Sequence, residues 1–498
     1  MKKGFQDYGA DAHWQADVCV IGAGAGGAAI TAALAEQGVS VLVLEAGSHW
    51  SPGQFRQDSA WAYRNLYAGR GTRSAFGNCA IPIPGGRGVG GSTLINSAIC
   101  FKTPDAILEE WSQERGCSRL TVEAMAPRLD RVWKTIGATI NPIEVQRNNN
   151  LIFKKGADAL GLPGEWMHRS APGCVGCGVC QMGCPTGGKS SVDRSFLAQA
   201  IQTGHTRVYG DCRVEGVKVG GGRVLEVRGR TIDPGDLLPK GHFRVQARVF
   251  VSSAGPVGSP RFLLSNGLAD DTVCGQRLYI HPSSGQMARF EEPIDPWHGV
   301  TQGFYVDQWE EGYLLQTYSI SPDQMYTAMP YSLGARGLEM IRDLKYIAQA
   351  GPLVHDEDSE GKVSLAGMTY FLGDGDRRRI LAGIRQTARV FFAAGAIEVY
   401  TGIVGSQPIE DPDHIDAQVP DDIAARDLYL YASHPMSTCP MGDDPARSVI
   451  DPDGRVWGWK NLYVADASTF PTSLGVNPQV TTMAVGLAVG EAVLEALG

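Results

Sequence analysis

A cluster of glycines near the start of the chain constrains the fold most strongly. Residues 22–27 have the sequence Gly-Ala-Gly-Ala-Gly-Gly, which contains the pattern G-x-G-x-x-G. An apolar stretch at 17–21, typical of a buried strand, precedes the cluster, and an alanine-rich stretch typical of a helix follows it. A second apolar stretch covers residues 39–44. This order of strand, glycine loop, helix and strand predicts a βαβ unit that opens an α/β fold.

Each glycine of the pattern serves a separate purpose. In such units Gly22 permits a tight turn, Gly24 lets the backbone approach a pyrophosphate, and Gly27 allows close packing of helix on strand. The helix N-terminus offers unpaired N–H groups and a partial positive charge to phosphates. Glu45, 18 residues beyond Gly27, can bond ribose hydroxyls. The sequence predicts a dinucleotide site, with a purely structural glycine turn as the alternative. The motif does not separate NAD from FAD.

Composition and charge exclude several classes of protein. Of the 498 residues, 43% are hydrophobic and 19% are charged, which indicates a sizeable core rather than a disordered chain. The formal net charge of −9 argues against a nucleic-acid partner. The sequence has no unbroken run of 18 apolar residues, so we expect no transmembrane segment. The basic N-terminus lacks the apolar core of a secretory signal, and we therefore expect a cytoplasmic protein.

Four of the eleven cysteines lie in one short loop. Cys174, Cys177, Cys180 and Cys184 have the spacing C-x2-C-x2-C-x3-C, followed by proline, which is found in bacterial iron–sulfur ferredoxins. Because there is no second set, we expect all four to hold one 4Fe-4S cluster, or three of them to hold a 3Fe-4S cluster. Structural zinc normally uses two well-separated cysteine pairs and is less favoured. Disulfides or reduced packing cysteines stay open. We expect the other cysteines to be small buried hydrophobes.

Five segments resemble, in the same order, the glucose–methanol–choline (GMC) family of flavin oxidoreductases. They are the βαβ unit and residues 88–96, 253–260, 434–442 and 461–482. The resemblance implies an α/β fold, in which an FAD-binding Rossmann-like domain is interleaved with an α+β substrate domain built on an antiparallel sheet. We expect FAD-binding parts at 1–110, 191–285 and 425–498, a substrate or cap region with the cysteine loop at 111–190, and a substrate-binding domain at 286–424.

The resemblance also assigns residues to FAD, the cofactor of the family. It implies that Glu45 holds the adenosine ribose and that Val214 touches the adenine. Asp466 matches a position near the pyrophosphate and the ribityl chain. Along the flavin, the matching positions are Gly90, Gly91 and Asn96.

His434 is the predicted catalytic base. Oxidising an alcohol needs a base for the hydroxyl proton and an acceptor for the hydride, and histidine has a suitable pKa. Among ten histidines, the resemblance singles out His434, because it lies in the family segment whose histidine faces the flavin. Ser437 stands where many members carry glycine, a change that can alter the loop although both residues are small. His281 and His298 are weaker candidates that fit a structural role better.

Asn477 occupies the family's second active-site position. Its amide can donate a hydrogen bond to the substrate oxygen without competing for the proton. The alternative is that Asn477 caps the final helix, because Pro478 suits the first turn of a helix.

The sequence therefore predicts an FAD-dependent oxidoreductase that acts on an alcohol. The cysteine loop most resembles long-chain alcohol oxidases and related bacterial dehydrogenases of the family. A cluster there would pass single electrons to an acceptor protein or a quinone. An apolar or aromatic alcohol is favoured over a sugar by several aromatic residues, which can equally belong to a sheet core: Trp297, Phe304, Tyr305, Trp309, Tyr313, Tyr318 and Tyr331.

Four other functions stay open at this point. One is an O2-using alcohol oxidase with a purely structural cysteine loop. A flavin-containing lyase of the same fold is another, although it has no use for an electron exit. The others are a non-catalytic, electron-carrying subunit and a nicotinamide-linked reductase.

Overall fold

The computed structural model describes residues 1–328 and 334–498, and this part of the chain contains twelve α-helices. In chain order they are α1 (Ala25–Glu36), α2 (Ser59–Leu66), α3 (Asp105–Gln113), α4 (Val122–Thr135), α5 (Ile143–Ala159), α6 (Phe196–Gln202), α7 (Gly255–Ser265), α8 (Pro322–Ala328), α9 (Gly334–Arg342), α10 (Asp374–Ala394), α11 (Ile415–Gln418) and α12 (Gln479–Leu497).

The same part of the chain forms strands that belong to four sheets. In chain order they are β1 (Lys2–Lys3), β2 (Asp11–Ile21), β3 (Val41–Leu44), β4 (Ser74–Phe76), β5 (Ala80–Pro82), β6 (Ile99–Cys100), β7 (Thr139–Ile140), β8 (Gly164–Trp166), β9 (His168–Arg169), β10 (Thr206–Tyr209), β11 (Cys212–Gly220), β12 (Arg223–Ile232), β13 (Pro239–Ser252), β14 (Ser283–Ser284), β15 (Gln286–Arg289), β16 (Phe304–Gln308), β17 (Tyr313–Thr317), β18 (Ile347–Val354), β19 (Glu360–Val363), β20 (Met368–Phe371), β21 (Glu398–Tyr400), β22 (Leu430–Tyr431) and β23 (Leu462–Val464).

The first sheet carries the predicted βαβ unit. Its strand order is β1-β10-β3-β2-β13-β12-β11, and β23 pairs with the end of β13. Strands β1, β10, β3, β2 and β13 run parallel to one another, and β23 runs parallel to β13. Strands β11, β12 and β13 form an antiparallel meander. Such continuous apolar strands as β3 are typical of a parallel sheet covered on both faces. Residues 207–251 alternate apolar and polar side chains between glycine turns, a pattern that predicts a β-meander, and the meander is present from β11 onwards.

Helix α1 packs on this sheet, and helix α12 packs on α1. Helix α1 is almost entirely buried, and helix α12 is mostly buried. A Cβ added at Gly486 of α12 would lie 2.8 Å from the carbonyl oxygen of Gly26 in α1, so the two backbones approach as closely as glycine allows. This close packing holds the C-terminal helix beside the glycine loop.

The second large sheet is antiparallel throughout. Its order is β21-β15-β18-β17-β16-β8, and β14 connects β18 to β22. Helices α5 and α10 pack against it and complete a separate hydrophobic core. Chain segments that build this sheet alternate along the sequence with segments that build the first, which confirms the predicted interleaved fold class. The exact domain boundaries stay a prediction.

Helix α12 bears on the prediction that the chain has no transmembrane segment. Within the described residues it is the one helix long and apolar enough to cross a membrane by length and composition, but 72% of its most apolar window is buried inside the protein. It has no unbroken apolar run because threonine and glycine interrupt the sequence. Its position against α1 and α4 is that of a core helix.

Candidate functional site

The first glycine loop has the geometry that a dinucleotide requires. Gly22 has φ of +107°, and a Cβ there would lie 2.2 Å from the carbonyl oxygen of Ser253. A Cβ at Gly27 would lie 2.1 Å from the carbonyl oxygen of Gly22, so both glycines are needed for packing. A Cβ at Gly24 would meet nothing closer than the Cα of Gly91, at 3.9 Å. Gly24 therefore borders open space at the N-terminus of α1, and the loop fits a pyrophosphate.

The second glycine segment, residues 88–91, lies directly against the first. The Gly90 N–H donates to the carbonyl oxygen of Ala23 at 3.0 Å. Gly91 has φ of +53°, and a Cβ there would lie 2.7 Å from the Cα of Gly24. The 3-10 turn Gly91–Leu94 follows. Two segments 60 residues apart thus form one cradle, which fits the predicted placement of Gly90 and Gly91 along a flavin.

Glu45 ties the two segments together. Its carboxylate accepts hydrogen bonds from the N–H groups of Ala23 at 3.0 Å, Gly47 at 2.9 Å and Gly88 at 3.2 Å. Burial raises the pKa of the Glu45 carboxyl above its ordinary value, although the three N–H groups oppose that shift. The contact with an adenosine ribose stays a prediction.

The other predicted FAD contacts lie around this cradle. Val214 is half-buried on β11, which begins where the Cys212 N–H donates to the carbonyl oxygen of Glu45. Asp466 is buried and accepts from Ser259 Oγ at 2.6 Å and from the Gly255 N–H at 2.9 Å. Its neighbour Ala465 touches the first turn of α1.

Asn96 connects the cradle to the C-terminal helix. Its Nδ2 donates to Gln479 Oε1 at 3.0 Å, and Gln479 Nε2 donates to the carbonyl oxygen of Ile99 at 2.6 Å. The segment from Leu94 to Ile99 is therefore held against the start of α12, two residues beyond Asn477.

The two predicted catalytic residues meet. Nε2 of His434 lies 3.2 Å from Nδ2 of Asn477. Burial lowers the pKa of His434 to about 4, so its ring is neutral near pH 7. The helix-cap alternative for Asn477 is wrong. The N-cap residue of α12 is Pro478, and no side chain accepts a capping hydrogen bond from the first turn of this helix. The Asn477 amide is occupied elsewhere: its Oδ1 accepts from Gln316 Nε2 at 2.8 Å.

Ser437 keeps the backbone conformation that favours glycine. Its φ is +67°, in the left-handed region, and its Oγ donates to the carbonyl oxygen of Thr472 at 3.1 Å. Ser437 therefore keeps the left-handed backbone that suits glycine, at a cost in strain, and does not alter the conformation of the loop.

His281 also lies at the catalytic pair. Its Nδ1 is 3.3 Å from Nδ1 of His434, while its Nε2 accepts from the Gly475 N–H at 2.9 Å. Because a backbone N–H can only donate, neutral His281 carries its proton on Nδ1 and directs it to His434. That bond requires Nδ1 of His434 to be the acceptor and its proton to be on Nε2, whereas the Asn477 amide donates to Nε2 and favours the tautomer with the proton on Nδ1. His281 thus influences which nitrogen of His434 is basic. His298, in contrast, is exposed and lies away from the pair.

Sequence reasoning missed Gln316. It lies on β17 directly opposite Tyr305 of β16, and antiparallel partners of this kind share a face of the sheet. The sequence signal was a glutamine within an otherwise apolar stretch, and the structure shows that this glutamine is buried.

The predicted aromatic set divides between the two faces of this hairpin. Tyr305 and Trp309 pack towards the core of the first sheet, where Phe101 contacts Tyr305 with ring centroids 4.9 Å apart. Nε1 of Trp309 has no hydrogen-bond partner within the described residues and lies beside Gly475. The others take no part in this face: Phe304 and Tyr313 belong to the second core, Trp297 packs on a third cluster, and Tyr318 is half-buried beside Tyr431. Tyr331 lies outside the described residues.

The four loop cysteines surround one cavity. Cys174, Cys177, Cys180 and Cys184 all line it. Left-handed glycines at 176, 178 and 183 allow the loop to wrap around it. All eleven cysteines are free, so the structure has no disulfide there. Among the described residues, no three His, Cys, Asp or Glu side chains converge on a single metal ion, zinc included.

Two buried cations contact this cavity. Arg169 Nη2 lies 3.3 Å from Cys180 Sγ, and Lys189 Nζ donates to the carbonyl oxygen of Cys180 at 3.2 Å. Burial opposes ionisation of the Cys180 thiol, but the charges of Arg169 and Lys189 outweigh it and lower the pKa. Burial raises the pKa of Cys177.

The fold and the glycine cradle define a dinucleotide-binding protein of the Rossmann-like type, and residues 20–60 match the profile of the NAD(P)-binding Rossmann-like domain. Residues 63–283 and 354–486 match the GMC oxidoreductase profiles. An uncharacterised GMC-type oxidoreductase of Mycobacterium tuberculosis is 34% identical over 483 residues, 96% of this chain and 75% of its own. The chain therefore belongs to the GMC oxidoreductase family and is a flavoprotein oxidoreductase.

More distant relatives and solved structures are similar over most of this chain. A long-chain-alcohol oxidase of Arabidopsis thaliana is 26% identical over 97% of this chain and 68% of its own. The crystal structure of pyridoxine 4-oxidase from Mesorbium loti has a TM-score of 0.73 at 17% identity, covering 96% of this chain and 99% of that one. A formate oxidase variant from Aspergillus oryzae has a TM-score of 0.72 at 15% identity, covering 97% and 98%. These two structures support the fold.

Proposed function

We propose that this protein is an FAD-dependent enzyme that oxidises the CH–OH group of an alcohol. The observation that carries the proposal is the 3.2 Å contact between His434 and Asn477. The hydrogen bond between Asn96 and Gln479 connects the glycine cradle to the start of α12, next to this pair. FAD, when bound in the cradle, supplies the acceptor for the hydride.

The protein's own residues have separate tasks in this proposal. His434 accepts the hydroxyl proton, because burial keeps its ring neutral at pH 7. Asn477 holds the substrate oxygen, and Gln316 fixes the orientation of the Asn477 amide. The unpartnered Nε1 of Trp309 offers a further donor to an oxygen in the same region.

The substrate we propose is an apolar or aromatic alcohol. Phe101 and Tyr305 form an aromatic wall on the sheet face that also carries Gln316. The long-chain-alcohol oxidase relative, at 26% identity, supports the same substrate class. Aromatic walls bury apolar substrate surface and offer few partners to sugar hydroxyls.

We further propose that the cysteine loop holds a 4Fe-4S or 3Fe-4S cluster. It would take the two electrons of reduced FAD one at a time and pass them to an acceptor protein or a quinone. The ferredoxin-like spacing and the shared cavity of the four cysteines support this part of the proposal. A cytoplasmic location, where such thiols stay reduced, is proposed with it.

Anaerobic mixing of the holoenzyme with alcohols tests the central proposal. We expect lasting bleaching of the flavin by benzyl alcohol or 1-decanol, and little bleaching by glucose. His434→Asn should slow this bleaching by about 100-fold or more while the flavin content stays the same. His298→Asn, which changes an exposed histidine, is the matched control and should behave as the wild type. An unchanged flavin spectrum with every alcohol contradicts the proposal.

A further inference from the structure

Arg169 and Lys189 are two cations buried beneath the cysteine loop. Arg169 is fully buried, and Lys189 is 3% exposed. Within the described part of the chain, neither forms an ion pair with a carboxylate, and the buried Asp193 acts on Lys189 only from beyond ion-pair distance. Burying a charge is costly unless a partner of opposite sign accompanies it, and burial accordingly lowers the pKa of Lys189. Carboxylates therefore do not fully compensate the charge of the two cations.

The contacts of Arg169 show where the compensating negative charge belongs. Its guanidinium donates to two neutral oxygens, the Ser97 carbonyl at 2.9 Å and Asn141 Oδ1 at 2.9 Å. Its remaining contacts are to sulfur: Nη1 lies 3.6 Å from Cys174 Sγ, and Nη2 lies 3.3 Å from Cys180 Sγ. The fork of the guanidinium thus spans two of the four cysteines.

Lys189 contacts the same loop from the side of residues 94–96. Its Nζ donates to the carbonyl oxygens of Leu94 at 2.8 Å, Asn96 at 2.9 Å and Cys180 at 3.2 Å. Its backbone N–H donates to Cys184 Sγ at 3.3 Å. One residue therefore joins the cysteine loop to the segment that we expect along the flavin, and three of the four sulfurs receive an N–H donor.

We propose that Arg169 and Lys189 are positioning residues that compensate the charge of an anionic iron–sulfur cluster and raise its reduction potential. This inference rests on the cluster in the proposed function. A cubane core held by four thiolates carries about two net negative charges, which match the two buried cations. Nearby positive charge and N–H donors to the sulfurs favour the reduced, more negative state.

The geometry also explains why both cations are needed. Arg169 acts on Cys174 and Cys180 from beneath the loop, and Lys189 acts on Cys180 and Cys184 from the side of Leu94 and Asn96. A cluster held in this way would be stabilised in its reduced state. That is the state it must reach to accept an electron.

An EPR-monitored redox titration of anaerobically purified protein tests the inference. We expect Arg169→Met and Lys189→Met each to disfavour cluster reduction by about tenfold or more, a fall of about 59 mV for a one-electron couple. Arg169→Lys keeps the charge and should recover most of the shift. Arg385→Met, on α10, removes a half-buried arginine that is hydrogen-bonded to the Val419 carbonyl and should leave the potential unchanged.

The outcomes separate this inference from the proposed function. Iron-loaded variants with an unchanged potential overturn the inference alone. Loss of iron with FAD and thermal stability retained supports it, because the anion then lacks its compensation. If Arg169→Met fails to fold, the reduction potentials of Arg169→Lys and Lys189→Met test the inference instead. Wild-type protein that holds zinc or no metal after anaerobic reconstitution overturns both the inference and the cluster. Bleaching of the flavin by alcohol in that preparation shows whether the alcohol-oxidising proposal survives.

Discussion

The catalytic pair lies among neutral imidazoles, whereas the cysteine loop lies beside two buried cations. Both contact the segment from Leu94 to Ile99: Gln479, beside the catalytic pair, bonds it from one direction, and Lys189, at the cysteine loop, bonds it from another. Around His434 the imidazoles are neutral, because burial lowers the pKa of His281 and His355 as well. Around Cys180, two cations favour the thiolate.

The difference shows what each region suits. A neutral, buried histidine can gain a proton from a substrate and lose it again, because no fixed charge holds either state. A cavity with two fixed cations suits a group that stays negative while electrons come and go. In the proposed function, proton transfer and electron transfer therefore belong to neighbouring but electrostatically distinct places.

Placing a negative charge in the neutral region gives the largest expected effect. In Asn477→Asp, the new carboxylate next to Nε2 of His434 should raise the pKa of that histidine from about 4 by roughly 1–3 units. The acid limb of the rate of flavin reduction should move up in pH by the same amount. The rate at pH 7 should fall by about 100-fold, because the amide donor to the substrate oxygen is lost.

Rapid-mixing rates between pH 4 and 9 check this prediction. Asn477→Ser is the matched control, since it removes the amide without adding charge. It should be slower than the wild type but should keep the wild-type acid limb. An acid limb that stays in place in Asn477→Asp contradicts the neutral character of the site.

The neutral histidine also predicts how stability depends on pH. The pKa of His434 is about 4 when folded and about 6.5 when unfolded, so its neutral form stabilises the fold fully above pH 6.5. This contribution is lost as pH falls towards 4. The shift corresponds to about 3 kcal/mol at most, and we expect about 2 kcal/mol because the residue keeps some exposure.

Urea unfolding at pH 4, 5, 6 and 7 measures this dependence. The free energy of unfolding should fall less steeply with acid in His434→Asn than in the wild type. Part of the decline should persist, because burial also depresses the pKa of His281 and His355. Parallel curves for the two proteins would falsify the assignment.

A smaller effect is expected at His281. Asparagine tolerates the φ of +52° at this position, so His281→Asn should fold normally. The asparagine amide oxygen can accept from the Nδ1–H of His434, which the Nδ1–H of His281 cannot do, so Nε2 of His434 is freed as the base and we expect kcat to rise about two- to threefold with KM little changed. Steady-state kinetics against the His298→Asn control measure this. A proportional rise in KM instead would mean that His281 serves substrate binding.

Much of the fold followed from short-range patterns. The glycine pattern and the flanking apolar runs predicted β2, α1 and β3 to within a few residues, except that β2 extends back to Asp11. The meander and the C-terminal helix were also predicted. The family-level resemblance placed His434 and Asn477 in one site, and the structure brings them within 3.2 Å.

Long-range contacts were less accessible. The aromatic set could not be divided before the register of β16 and β17 was known, because alternate residues of a strand point to opposite faces. Gln316 lies 161 residues from Asn477 in sequence. No spacing rule connects two such positions.

The sequence by itself determined the glycine loop, the order of the family segments and the spacing of the four cysteines, because each depends on backbone geometry over a few residues. Only the tertiary structure decided that His281 and Gln316 adjoin the catalytic pair, and that Lys189 bonds the carbonyl oxygens of Leu94 and Asn96. These contacts depend on how separately formed elements pack. Buried charge and its partners are therefore visible only once the chain is folded.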